Sequence, residues 1–111
     1  MTLQSKLRRL ATALTAISPN VNVYHYWRPQ MKAPFIVWQE EEGEEFWTSN
    51  RMVEQTISGS IDFYTSTEFD PIVDNIQEAL TTLDVCGWSL ESIQYEDDTN
   101  LIHYSWAFNL G

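Results

Sequence analysis

Apolar side chains recur along residues 2–17 at helical spacing. Leu3, Leu7, Leu10, Leu14 and Ile17 fall four and three residues apart, which puts them on one stripe. Ala11 and Ala13 favour helix, Thr12 and Thr15 weaken it slightly, and Ser18-Pro19-Asn20 stops it. Lys6, Arg8 and Arg9 fall largely off the stripe. Residues 21–27 switch to period two. Val21, Val23, His25 and Trp27 share one face and Tyr24 and Tyr26 the other, so neither side of this first strand is plainly wet. A loop bounded by Pro29 and Pro34 follows, and a second strand begins over residues 35–39. Glu40, Glu41, Glu42, Glu44 and Glu45 around Gly43 read as an exposed turn, because so many carboxylates cannot be buried unpaired.

Residues 53–64 carry the clearest strand pattern. Val53, Ile57, Gly59, Ile61 and Phe63 alternate with Glu54, Thr56, Ser58, Ser60 and Asp62. Such a length predicts either a hairpin arm running past the core or a bend at Gly59. Asp70-Pro71 has the form of an N-cap followed by a first-turn proline. It opens a helix over 70–84 with the stripe Ile72, Val73, Ile76, Ala79, Leu80 and Leu83. A strand over 88–95 shows a slip in alternation between Leu90 and Ile93, the mark of a bulge. A turn at 96–100 and a last strand over 102–110 complete the chain. The expected fold is α+β: one domain over 1–111 in the order helix, three strands, helix, two strands. Helices 2–17 and 70–84 would cover one face of a mostly antiparallel, four- to five-stranded sheet, and the other face would meet solvent or another subunit.

Charge alters the picture. The formal net charge of -10 over 111 residues opposes sequence-specific or non-specific nucleic-acid binding and attachment to an anionic membrane. Residues 1–39 hold five bases and no acid, whereas residues 52–111 hold eleven acids and no Lys or Arg. Segregation of this kind suits side-to-side or head-to-tail assembly, although a solvated acidic surface explains the total equally well. The single cysteine, Cys86, leaves no intrachain disulfide and reads as a structural thiol. With no apolar run of signal-peptide or membrane-span length, a reducing intracellular compartment is expected.

No convincing active site appears. His25 and His103 sit in strands without metal spacing, and the serines and Cys86 lack a base arrangement. The carboxylates at 40–45 and 96–98 match no calcium loop, and the four glycines form no phosphate cradle. Hence no catalytic residue, cofactor or metal ligand is expected. The excess is aromatic: Tyr24, Tyr26, Trp27, Trp38, Trp47, Tyr64, Trp88, Tyr95, Tyr104 and Trp106 are more rings than a wet two-layer sheet would expose. Phe46 and Trp47, beside the acidic stretch, are the expected contact rings of a long hairpin, with Arg28, Lys32 and Arg51 available to pair with acids across a seam. Folding of Phe46 and Trp47 back onto the sheet is the competing expectation.

The stretch from Tyr24 through Trp27 and Arg28 to Pro34, together with residues 53–71 and 102–108, resembles small proteins from the tail-morphogenesis regions of tailed bacteriophages and prophages. The class most similar is the tail terminator, also called tail completion or minor tail protein. The resemblance covers nearly the whole chain and rests on composition and element order. It implies an antiparallel sheet with helices on one side and a non-enzymatic homo-oligomeric ring, commonly a hexamer. Such a ring caps the tail tube protein and offers a surface to the head-completion proteins, in a virion assembled in the bacterial cytoplasm. An acidic lumen would let DNA pass without adhesion. Another head–tail adaptor or neck protein, or a monomeric ligand-binding or enzymatic domain, are the alternatives.

Overall fold

The computed structural model describes residues 2–27, 32–84 and 86–111. Helix α1 spans Leu3–Thr15, and Thr2 caps it by accepting the Ser5 N–H at 3.2 Å. Strands β1 (Asn22–His25), β2 (Phe35–Thr48) and β3 (Arg51–Thr65) follow, then helix α2 (Ile72–Thr82), β4 (Cys86–Glu96) and β5 (Leu101–Leu110). Asp70 does the work of a cap for α2, its carboxylate accepting the Ile72 N–H at 2.9 Å and the Thr65 hydroxyl at 2.6 Å. Pro71 already has helical angles, as a first-turn proline does.

The five strands form one mixed sheet in the order β1-β2-β3-β5-β4. Three of its four pairings are antiparallel, and the parallel one joins β1 to β2 at the edge. Leu7, Leu10 and Leu14 of α1 and Ile76 and Leu80 of α2 pack into one core with Ile36, Trp38, Ile61, Phe63, Trp106 and Phe108. These sheet residues lie opposite one another across β2, β3 and β5, so both helices cover the same face. Part of the other face is also dry. Phe35, Tyr64 and Leu101 form a second cluster there, with Ala33 of the β1–β2 connection packed on it. The aromatic excess is thereby partly absorbed: Trp38, Tyr64 and Trp106 are buried and Tyr24, Trp88 and Tyr104 half-buried, while Tyr26, Trp27, Trp47 and Tyr95 remain exposed.

Three expectations need correction. The acidic residues 40–45 are not a turn; they continue β2, and the chain reverses at Ser49-Asn50. The reason is that β1 pairs only with Phe35–Trp38 and β5 reaches no further than Ile57, so the outer hairpin stands clear of the sheet. Carboxylates on an uncovered strand are solvated as well as in a turn. Lys6, expected off the apolar stripe, is buried, because the hairpin passes over the start of α1 and the Gln55 carbonyl accepts a hydrogen bond from its amine. Helix boundaries contract to Leu3–Thr15 and Ile72–Thr82.

Gly59 is the site where the long strand meets its neighbours most closely. It pairs with both Glu40 and Phe108, beside the register shift between Glu40 and Glu42. An added methyl group would run into the Gln39 carbonyl oxygen and lie 2.7 Å from the Phe108 ring and 2.8 Å from the Glu40 Cα. Two of those obstacles are backbone and the third is a core ring, so nothing can step aside. Gly59→Ala is therefore expected to cost on the order of 3 kcal/mol in urea denaturation. Unchanged stability would show that the bulge relaxes freely. The shift that sequence alternation predicts near residues 90–93 is present between Leu90 and Ser92.

Candidate assembly interface

Beyond the last β3–β5 pair, at Ile57 and Leu110, the β2–β3 hairpin continues as two strands alone. From Ile57 to Arg51 it projects about 20 Å, which fits a molecule measuring 53 × 24 × 24 Å. A lone two-stranded hairpin is marginal in water unless something packs on it. Residues 41–54 carry five glutamates and one arginine, and every one of them is exposed. The apolar residues gather near the tip: Phe46 (45% exposed), Trp47 (62%), Met52 (47%) and Val53 (62%). Trp47 sits directly across from Met52, and the register shifts between Phe46 and Trp47.

Phe46 and Trp47 thus do not fold back onto the sheet. Arg51 lies with them, opposite Thr48 at the turn. Lys32 is exposed but precedes Phe35, at the far end of β2 from the tip, so the chain does not bring it to this group. Arg28 lies outside the described residues. Met52 is not among the contact residues that the sequence pattern singles out; its signal lies in the pairing that sets it across from Trp47, which no single-strand periodicity reveals.

The two histidines do not converge. His25, on β1, is sandwiched between Tyr26 and Trp38 at ring distances of 3.8 and 3.9 Å, and its Nε2 lies 2.8 Å from the Glu40 carboxylate. His103, on β5, stacks on Tyr64 at 4.1 Å, with its Nε2 2.7 Å from Asp62. Three strand spacings, about 14 Å, separate their strands, and Trp38 and Tyr64, on which they stack, belong to the clusters on opposite faces. Among the described residues no group of three or more His, Cys, Asp or Glu is placed to hold a metal ion. Replacing both histidines with alanine is expected to cost about 2 kcal/mol in total by urea denaturation, from two partly exposed polar contacts and lost stacking. A metal ion held by both imidazoles would refute this geometry.

Burial pushes the Cys86 thiol up from its ordinary value. Less thiolate forms at any pH below that raised value, so alkylation by iodoacetamide at pH 8 is expected to be slower in the folded protein than in urea. Equal rates would mean the thiol is freely solvated.

No helix among the described residues is long and apolar enough to cross a membrane. The chain matches no protein-family model, and no curated protein matches it in sequence.

Proposed function

We propose that this chain is a non-enzymatic structural protein of phage tail assembly, forming a ring that terminates the tail tube and joins it to the head-completion proteins. The observation that carries the reading is the hairpin arm: a two-stranded projection whose tip exposes Phe46, Trp47, Met52 and Val53 together. Large apolar side chains exposed near one another on a projection are costly to leave wet and are common anchors of protein contacts. The resemblance in element order and composition supplies the tail and the ring; the segregated charges supply a means of setting register. Virion location follows from the same reading.

Sedimentation velocity over a wide concentration range, with negative-stain imaging of the same samples, tests it. The expected result is a discrete annular particle that grows in with concentration. A monomer throughout, with a small molecule bound in a concave site, would replace this reading with that of a ligand-binding or enzymatic domain.

A further inference from the structure

The arm is a donor surface, and the body of the chain carries a matching acceptor. Between α1 and the end of β1 lies a groove of about 460 Å3. Leu3, Leu7 and Ala11 supply apolar lining from the helix, and the stacked rings of Tyr26, His25 and Trp38 supply an aromatic wall. Tyr26 is held there at a φ of 72°, a conformation that a bulky residue avoids unless its surroundings impose it. Its N–H donates to the Trp38 carbonyl at 2.9 Å, which closes β1 and leaves the ring exposed over the groove.

The groove's own arm passes over the start of α1, where Met52 and Val53 share a second pocket with Leu3, and its Trp47 stays away from the aromatic wall. Trp38 lines the groove while Trp47 is nine residues further along the same extended strand, a distance of about 30 Å. Charge points to the arm of another copy. Helix α1 bears three bases and no acid. Arg9 is paired with Asp84, whereas Arg8 is exposed at the groove. The groove's Glu40 is occupied by His25. The arm brings Glu41, Glu42, Glu44, Glu45 and Glu54 against a single Arg51.

We propose that the arm tip of one copy seats Trp47, with Met52 across from it on the same face of the hairpin, in the α1–β1 groove of a second copy, with Arg8 of the acceptor facing the acids of the arm. This rests on the self-assembly reading and gives that assembly its direction. Used head to tail, the donor and acceptor patches leave one of each open on every growing assembly, as a ring or a filament requires, whereas reciprocal exchange would stop at a dimer and give no ladder.

Cross-linking tests the contact separately from ring closure. In a Cys86→Ser background, Gln4→Cys at the groove rim and Thr48→Cys beside Trp47 are treated with a short bismaleimide, after circular dichroism has shown native folding. The double variant is expected to give a ladder of covalent oligomers, and each single variant none. Covalent dimers from Thr48→Cys alone would mean tip-to-tip contact and overturn the proposal. Closed rings without any Gln4–Thr48 product would also overturn it while leaving the ring reading intact. A ladder without closed rings supports the contact and removes the ring. As a second variant, Arg8→Glu is expected to raise the concentration of half-assembly roughly tenfold at low salt, with the difference shrinking as salt screens it. No effect at any ionic strength would exclude Arg8 from the seam and refute the proposed charge pairing.

Discussion

Trp106→Ala is expected to lower stability by about 4 kcal/mol, a large share of the roughly 5–15 kcal/mol that holds a domain folded. Trp106 is fully buried on β5, between Ile61 of β3 and Leu90 of β4 in register. Its indole N–H donates to the Gln77 side chain on α2 at 3.1 Å, so it ties an inner strand to a helix as well as filling the core. Alanine would leave a cavity the size of an indole under two helices and strip Gln77 of this partner. Two packed layers cannot collapse into that space without moving a helix. Trp106→Phe should cost less, about 2 kcal/mol, because most of the volume remains and mainly the hydrogen bond is lost. Urea denaturation checks both. A Trp106→Ala protein within about 1 kcal/mol of wild type would contradict the position of Trp106 at the centre of the core.

The same substitution at Trp47 should do the opposite. Trp47 is 62% exposed near the tip of the arm, so Trp47→Ala is expected to change folding stability by less than about 1 kcal/mol. Under the proposed assembly it is nonetheless the dominant anchor. Truncating a buried aromatic anchor in an interface commonly costs at least about 2 kcal/mol, or roughly thirtyfold in affinity per contact. In a ring that loss applies at every seam, so assembly should vanish over the concentrations at which wild type assembles. Arg51→Ala should change assembly by much less than Trp47→Ala, because an exposed charge contributes little and is screened by salt. Circular dichroism with sedimentation of the Trp47→Ala protein decides the matter. A lost thermal transition would place Trp47 in the core, and intact oligomers would remove it from the interface.

The contrast between these two tryptophans explains what could be read from the chain. Both stand in strands and both have apolar neighbours; one is 0% exposed and the other 62%. Local pattern cannot separate them, because burial depends on how far the neighbouring strands run. β5 ends at Leu110, opposite Ile57, and β1 ends at His25, opposite Trp38; past those points no further strand pairs with β2 or β3. The acidic stretch was misplaced for the same reason. Glu41, Glu42, Glu44 and Glu45 demand solvent, and a strand without lateral neighbours satisfies that demand as fully as a turn, while Glu40 is met by His25. Lys6 errs in the other direction, since only the overlying arm makes a helix-surface lysine a buried one.

Short-range periodicity along the chain carries the local elements. The stripe from Leu3 to Leu14, the Asp70-Pro71 start, the alternation over 53–64 and the slip near Leu90 each answer to steric rules acting within a few residues. The class of fold followed, because two amphipathic helices and a handful of alternating strands have one economical two-layer arrangement. The tertiary structure alone decided the parallel edge pairing of β1, the length of the unpaired arm, the burial of Lys6, and the groove between α1 and β1. Those depend on contacts between residues far apart in the chain. Such contacts are set by which surfaces the whole packing leaves uncovered, a quantity that no local window of sequence contains.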